Sequence, residues 1–202
     1  SKPESDFPMK TRLILLLCLS LLVARAEVSL AEATIADLQA QMAAGKLTAA
    51  QLTNGYLQRI AEIDRAGPKL NAVIELNPDV LATADSLDAE RKAGRLRGAL
   101  HGIPILIKDN IDTADLPTSG GTRALLTSRP LRNAAVVERL LRAGGLIAGK
   151  TNLHELALGG TNHNAVTGAC RNPWNPLRIP GGSSGGSAVA VAACMVPAAL
   201  GT

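Results

Sequence analysis

The feature that most constrains this chain is a loop rich in glycine and serine, PGGSSGGS at residues 180–187, which runs directly into an apolar segment at residues 188–195. Glycines permit positive φ angles and close approach of the backbone to a bound group. A helix that begins just after such a loop directs unpaired N–H groups toward that group. A flexible linker is the alternative, but linkers join domains and do not lead straight into a buried apolar helix. We therefore interpret the loop as part of a chemical site, with Ser183 and Ser184 supplying hydroxyls.

A second segment, GIPILIKDNID at residues 102–112, supports this interpretation. Its apolar residues 103–107 predict a buried strand that ends at Lys108. Taken alone, Lys108 would be an ordinary surface lysine. A lysine buried among isoleucines, however, has a pKa lowered from about 10.4 toward neutrality, because burial penalises the ammonium form. A serine hydroxyl becomes a good nucleophile only when a base takes its proton, and the two segments together supply serines and such a base.

These two segments and two further motifs resemble the amidase signature family, from about Thr34 to Thr202. The hallmark of that family is a Ser, Ser, Lys triad. Carried over by motif, Lys108 matches the general base. Ser183 matches the bridging serine, which follows a cis peptide bond and passes the proton between lysine and nucleophile, whereas Ser184 matches no triad member. The motifs that carry the resemblance are HGIP (101–104), KDN (108–110), GKTN (149–152), RNPW (171–174) and the loop at 180–187.

The resemblance implies that the nucleophile lies beyond this sequence. In the family, the segment after the glycine–serine helix reads Gly-Thr-Asp-x-Gly-Gly-Ser. Its last serine forms the acyl-enzyme and its backbone N–H groups form the oxyanion hole. Gly201 and Thr202 match the start of that run. We therefore expect residues 27–202 to be the N-terminal part of a single amidase domain, truncated before the nucleophile and inactive by itself, because removing one member of a catalytic unit costs about as much as removing all of it.

The substrate hypothesis comes from residues 152–164, which correspond to the segment that lines the acyl pocket in related enzymes and are similar to indoleacetamide and mandelamide hydrolases. The candidate substrate-binding residues are Ala157 and Gly159 of this segment and Gly182 of the glycine–serine loop. The main hypothesis is hydrolysis of a small aryl-alkyl amide to acid plus ammonia. Three alternatives stay open: the A subunit of glutamyl-tRNA(Gln) amidotransferase, a C-terminal peptide amidase, and a non-catalytic relic with an amidase fold.

A phosphate-loop pattern and three histidines need a separate interpretation. Residues 144–151, GGLIAGKT, satisfy G-x-x-x-x-G-K-[ST]. A phosphate loop follows a strand and opens a helix, whereas residues 133–143 predict a helix and residues 146–148 a strand after it. We therefore do not expect nucleotide binding. His101, His154 and His163 have neither the spacing nor the cysteine partners of a zinc site. We expect no metal and no cofactor.

Composition argues against a nucleic-acid partner. The chain has 21 basic and 17 acidic residues, for a formal net charge of +4. Four of the basic and two of the acidic residues lie within residues 1–26, so the remainder holds 17 against 15 and is nearly balanced. Hydrophobic residues make up 47% of the chain, which excludes disorder for most of it. The expected partner is a small-molecule amide, and a homodimer is left open.

The first 26 residues predict export. Residues 9–26 read as a signal peptide, with a basic start after Met9, an apolar core over residues 13–23 and an A-x-A cleavage site ending at Ala26. The apolar core is shorter than the roughly 20 residues of a membrane span, so we expect no stable membrane span. A buried N-terminal helix is the alternative. Residues 1–8 are interpreted as an upstream extension. The mature protein is expected to be periplasmic or secreted.

Two cysteines, Cys170 and Cys194, remain after the predicted cleavage. They could pair in an oxidising compartment. Two cysteines make no disulfide framework, however, and we favour free buried thiols.

Helices and short strands alternate along the mature chain. Thr34 and Thr48 read as helix starts, the second within a capping box, and these helices are expected to end near Gly45 and Gly67. This alternation predicts an α/β fold. The resemblance implies a mixed β-sheet covered by α-helices and incomplete in this fragment. The remaining predicted elements are strands at residues 71–76, 103–107 and 196–200, a helix at residues 78–93, a turn at residues 94–98, and a buried stripe of Leu52, Tyr56, Ile60 and Ile63.

Overall fold

The structure is a computed structural model that describes residues 29–202. The predicted extension at residues 1–8 and the predicted signal peptide at residues 9–26 lie outside the described residues. Export therefore stays a prediction. Within the described residues, no helix has both the length and the apolar character needed to cross a membrane.

Two helices open the described chain, and both begin where the capping residues predict. Helix α1 spans Ile35–Ala43 and helix α2 spans Ala49–Arg59, followed by a π-helical turn at Ile60–Arg65. The capping box predicted at Thr48 is present, and Thr34 forms a second one with Asp37. Each threonine side chain accepts an N–H that the first helical turn leaves unpaired. Gly45 and Gly67 both have positive φ and follow these helical segments, as predicted.

The stripe predicted on the second helix forms part of the core. Leu52, Tyr56 and Ile60 are buried, and Ile63 is half-buried against the same cluster. Helix α3, Val80–Lys92, packs beside α2. The Asp88 carboxylate of α3 accepts the backbone N–H of Ala49 at 2.7 Å and that of Ala50 at 3.0 Å. A buried side chain from a neighbouring helix thus completes the capping of α2.

The strands form a mixed main sheet, as predicted, and a separate short ribbon. In chain order they are β1 (Val73–Leu76), β2 (Pro104–Lys108), β3 (Leu146–Thr151), β4 (His163–Asn164), β5 (Gly168–Ala169) and β6 (Ala198–Leu200). The main sheet has the order β1–β3–β2–β6. Strands β2, β3 and β6 are parallel, and β1 runs antiparallel to β3. Strands β4 and β5, which the sequence pattern did not predict, form the antiparallel ribbon.

Two strands begin two residues later than the sequence predicts. The strand predicted at residues 71–76 begins at Val73, because Asn71 has a φ of +56° and cannot continue an extended strand. The strand predicted at residues 196–200 begins at Ala198, after Pro197, which has no N–H to donate to a ladder. Strand β3, by contrast, continues past residue 148 to Thr151.

The central strands β2 and β3 are buried along their whole length because helices cover them. Helices α2, α3, α4 (Ala135–Arg142) and α5 (Gly185–Ala192) all contact one or both of these strands. Helix α4 leads through a glycine turn into β3. The phosphate-loop pattern therefore lies on a helix-to-strand connection, as the sequence predicted, and its lysine is inside a strand.

The contact from Asp88 to helix α2 generates a stability prediction for the full-length protein. Asp88→Ala should lower the free energy of unfolding by about 1–3 kcal/mol, because two N–H groups lose a buried acceptor. Asp85→Ala, on the exposed side of the same helix, is the matched control and should change it by less than about 0.5 kcal/mol. Urea unfolding measures both. Equal effects of the two substitutions would contradict the capping role.

Candidate active site

Three parallel strands deliver polar residues to one edge of the sheet. Lys108 ends β2, where it lies opposite Thr151 at the end of β3, and Ile107 lies opposite Leu200 of β6. Thr202 follows β6 by two residues. The carboxyl ends of parallel strands form a crevice at which ligands bind in open α/β sheets. The topology therefore puts Lys108 and Thr202 side by side at the edge where a site is expected.

The glycine- and serine-rich loop at residues 180–187, called the serine loop below, reaches the same edge. Its serines and Thr202 surround the Lys108 amine with hydroxyls. Lys108 Nζ lies 2.7 Å from Ser183 Oγ and 3.0 Å from Ser184 Oγ, and its distance to Thr202 Oγ1 is 2.6 Å. The peptide bond between Gly182 and Ser183 is cis, the geometry that the resemblance implied. The structure thus brings the two predicted catalytic residues into direct contact. It also adds Ser184, which the motif comparison left outside the triad, and Thr202.

Lys108 is fully buried, and burial lowers the pKa of its ammonium group below the ordinary 10.5. Within residues 29–202, no carboxylate lies within salt-bridge distance of its amine. No carboxylate of the described residues therefore pairs with the ammonium form there, and the surrounding hydroxyls are neutral. The neutral amine, which can accept a proton, is favoured relative to an exposed lysine.

The hydroxyl contacts restrict which group can give Lys108 a proton. Ser184 Oγ donates its hydrogen to the Thr202 carbonyl oxygen at 3.0 Å and accepts the Thr202 N–H at 3.2 Å. Toward Lys108 it can therefore only accept. A neutral amine has two N–H donors and one lone pair. That lone pair can take a hydrogen from the hydroxyl of Ser183 or of Thr202, and Ser183 has no other hydrogen-bond partner for its hydroxyl among the described residues.

Backbone contacts hold the serine loop against the segment that follows β3. The N–H of His154 donates to the Ser183 carbonyl oxygen at 3.1 Å, and the N–H of Gly186 donates to the Asn152 carbonyl oxygen at 3.1 Å. A Cβ atom on Gly186 would lie only 2.2 Å from that same oxygen. Glycine is therefore required at this position for the helix to start so close to the strand end.

The three predicted substrate-binding residues fall in two adjoining segments. Gly182 packs on the neighbouring segment, since a Cβ there would lie 3.3 Å from the Gly159 carbonyl oxygen and 3.2 Å from the Gly160 carbonyl carbon. Ala157 lies two residues before Gly159, with a φ of +59° and its N–H donating to His154 O at 2.8 Å. The structure thus brings Gly159 and Gly182 together and keeps Ala157 on the same segment. Their role in binding substrate stays a prediction.

A buried ion pair beside Lys108 was missed by the sequence analysis. Lys150 Nζ lies 3.6 Å from Asp109 Oδ1 and donates to the Ile111 carbonyl oxygen at 2.9 Å and to Thr118 Oγ1 at 2.9 Å. The other oxygen of Asp109 accepts from Ser119. The lysine of the phosphate-loop pattern therefore anchors the loop after β2 from inside the fold. Its ammonium is already occupied by protein oxygens.

His101 and the two cysteines lie in surroundings that suit a structural role. His101 is buried, with Nδ1 accepting the Arg97 N–H at 3.2 Å and Nε2 lying 2.9 Å from the Leu87 carbonyl oxygen. Within residues 29–202, no group of three metal-ligating side chains is present. Cys170 and Cys194 are both free, as favoured, although Cys194 is only half-buried. Burial raises the pKa of the Cys170 thiol to about 12, which makes it an unreactive thiol at neutral pH.

Comparison with known proteins places this chain in a family. The family model described as Amidase matches residues 51–202, three quarters of the chain. This chain belongs to the amidase family. The peptide amidase from Stenotrophomonas maltophilia is 53% identical, with a TM-score of 0.80, over 84% of this chain and 36% of that chain. An amidase family protein from Bacillus anthracis is 34% identical, with a TM-score of 0.82, over 98% of this chain and 42% of that one.

Curated relatives give a second point of comparison. In Chloroflexus aurantiacus, the A subunit of glutamyl-tRNA(Gln) amidotransferase is 48% identical over 170 residues, which is 84% of this chain and 34% of the relative. The chain thus spans about a third of the length of the curated amidase-family relatives that it matches. Its mixed α/β fold agrees with that of the solved amidases.

Proposed function

We propose that the protein containing these residues hydrolyses a carboxylic amide to an acid and ammonia through an acyl-enzyme, with Lys108 as general base and Ser183 as proton relay. The observation that carries this proposal is the 2.7 Å contact between the buried Lys108 amine and the Ser183 hydroxyl. A desolvated amine beside a hydroxyl without other partners is the arrangement that general-base activation of a serine requires.

The proposed reaction moves one proton through this contact. Lys108 accepts the hydrogen of Ser183 while Ser183 accepts that of the nucleophilic serine, which the resemblance places in the run that starts at Gly201 and Thr202. The serine oxygen then attacks the amide carbon. The protonated relay returns the hydrogen to the departing nitrogen, so ammonia leaves and an ester remains. Water, activated by the same lysine, hydrolyses the ester to the acid and regenerates the serine.

Three candidate functions differ in their substrate. The sequence of residues 152–164 favours hydrolysis of a small aryl-alkyl amide. The 53% identity to a peptide amidase favours a C-terminal peptide amide, which would also suit an exported enzyme. A third candidate is a tRNA-dependent amidotransferase subunit, favoured by the 48% identity to such subunits. The predicted signal peptide argues against this last candidate, because charged tRNA is a cytoplasmic substrate.

A substrate panel for the full-length protein distinguishes these candidates. We expect ammonia release from phenylacetamide or indole-3-acetamide, from a peptide with a C-terminal amide, or from both, without tRNA or a partner protein. The ratio of kcat/KM between the two substrates identifies the acyl group. Release of ammonia from glutamine only in the presence of partner subunits and misacylated tRNA would instead support the amidotransferase. No ammonia release from any of these substrates would contradict the proposal.

Substitution of the two contacting residues tests their roles. In the full-length protein, Lys108→Ala should lower kcat/KM by several orders of magnitude, because the relay loses its proton acceptor. Lys108→Arg should not restore activity, since a guanidinium stays protonated at neutral pH. Ser183→Ala should cost no more than Lys108→Ala, because a water can fill part of the relay. Lys46→Ala, an exposed lysine, is the control and should leave kcat/KM unchanged.

The pH dependence of the unaltered enzyme tests whether Lys108 acts as a base. Because the pKa of Lys108 is lowered from 10.5, the neutral base should be present at lower pH than for an ordinary lysine. The value of kcat/KM should therefore rise with pH and level off with a midpoint below 10.5. Activity that falls as pH rises through this range, or an active Lys108→Arg variant, would mean that Lys108 acts as a fixed positive charge.

The proposed location is outside the cytoplasm. Expression of the full-length gene in a bacterium should yield a mature N-terminus at Glu27, because the A-x-A site lies at the expected distance from the apolar core of residues 13–23. N-terminal sequencing of the purified protein measures this. A soluble protein that retains Met9 would contradict export and would strengthen the tRNA-dependent candidate.

A further inference from the structure

We propose that Asn162 is a positioning residue that fixes Ser183 against Lys108 by holding the serine loop on both sides; this inference rests on the proposed function. Asn162 lies in the predicted acyl-pocket segment and contacts the loop, but its side chain forms no hydrogen bond with Lys108. Its proposed action is therefore geometric. No motif considered in the sequence analysis gives it a role of its own.

Asn162 contacts the glycines on either side of Ser183 and Ser184. Its side chain is fully buried, and Oδ1 accepts the N–H of Gly185 at 2.8 Å. A Cβ on Gly185 would lie 2.8 Å from Asn162 Cγ, and a Cβ on Gly182 would lie 3.2 Å from Asn162 N. Both glycines therefore pack directly on this one residue. Ser183 and Ser184 lie between them, so their position follows that of Asn162.

Asn162 is itself tied to the strand that lies beside Lys108. Its Nδ2 lies 3.4 Å from Asn152 Oδ1, and Asn152 follows the last residue of β3. Its carbonyl oxygen accepts the N–H of Cys170 at 3.0 Å. Because β3 pairs with β2, Asn162 connects the serine loop to the strand that carries Lys108. The 2.7 Å contact between Lys108 and Ser183 depends on that connection.

The backbone at this position explains why asparagine suits it. Asn162 has a φ of +57°, in the left-handed region that asparagine tolerates better than most residues other than glycine. The Gly185 N–H belongs to the first turn of helix α5, where no intrahelical acceptor is available. An amide oxygen in a left-handed turn is therefore the acceptor that this buried N–H requires. Displacing a reacting group by about 1 Å can cost about 100-fold in rate.

Two substitutions in the full-length enzyme test this role. Asn162→Gly keeps the backbone conformation but removes the acceptor, and we expect kcat to fall about 100-fold with KM within about 3-fold, since the loop and not the pocket is affected. Asn162→Asp keeps an oxygen at the Gly185 N–H, at a helix N-terminus that favours a carboxylate, and keeps the backbone bond to Cys170. It loses only the long Nδ2 contact with Asn152, so it should retain kcat within about 10-fold of the unaltered enzyme. The midpoint of the pH profile should stay unchanged in Asn162→Gly, because Lys108 remains the base and no charge is introduced.

Asn71→Gly is the matched control. Asn71 also has a positive φ, of +56°, and its side chain donates to backbone oxygens of Thr167 and Ala169, not to the serine loop. Its carbonyl oxygen accepts from Asn152 Nδ2 at 2.7 Å, and glycine retains that carbonyl. Its substitution should leave kcat unchanged. If Asn162→Gly does not fold, as judged by circular dichroism, the comparison between Asn162→Asp and the unaltered enzyme decides, and a kcat more than about 100-fold lower in folded Asn162→Asp overturns the proposal.

Two further outcomes would overturn it. A folded Asn162→Gly variant with unaltered kcat would show that the loop holds its position without this contact. A raised KM with unaltered kcat would show that Asn162 shapes the pocket alone. Failure of the proposed function is distinguishable from both, because it would appear as an unaltered full-length protein that releases no ammonia from any amide.

Discussion

The site depends on one constraint, a lysine amine kept out of water without a carboxylate beside it. Lys108 is buried at the end of a strand whose five residues are all buried. An ammonium in such a place is costly, and burial therefore lowers the pKa of the amine. Hydroxyls of Ser183, Ser184 and Thr202 satisfy the amine in either protonation state, since each oxygen can accept a hydrogen bond and the first and last can also donate one.

A second buried lysine, on the neighbouring strand, shows what a different environment does. Lys150 lies opposite Ile107, one residue from Lys108 in the strand register, and is equally buried. It has the Asp109 carboxylate and several carbonyl and hydroxyl oxygens around its amine. Removing one partner of such a buried pair leaves an uncompensated charge, so this lysine is held in place as part of the fold. The same residue type, at the same depth, is suited to proton transfer in one case and to anchoring a loop in the other.

Much of the fold could be predicted because the signals that specify it are local. The capping boxes at Thr34 and Thr48 lie within four residues, and the apolar run before Lys108 predicts its strand within one residue. The contact of Lys108 with Ser183 joins residues 75 apart, and only the family resemblance predicted it. Neither a local pattern nor the family resemblance predicted the contact of Asp109 with Lys150 or that of Asn162 with Gly185. Polar residues in loops look alike in a sequence until the fold determines which of them are buried together.

Gly185 and Gly186 of the serine loop are required because distant residues pack closely against them. In the sequence, Gly185 and Gly186 predict a loop whose backbone approaches a bound group closely. In the structure, they approach protein instead, Gly185 the side chain of Asn162 and Gly186 the carbonyl oxygen of Asn152. The segment at residues 152–162 therefore does two things at once, because it carries the predicted pocket residues Ala157 and Gly159 and also supports the backbone on either side of Ser183. Under the proposed function, a change in that segment that alters the predicted pocket would also displace Ser183 through these van der Waals contacts. A substitution that adapts the predicted pocket to a new acyl group would then have to preserve the contacts with Gly182, Gly185 and Gly186.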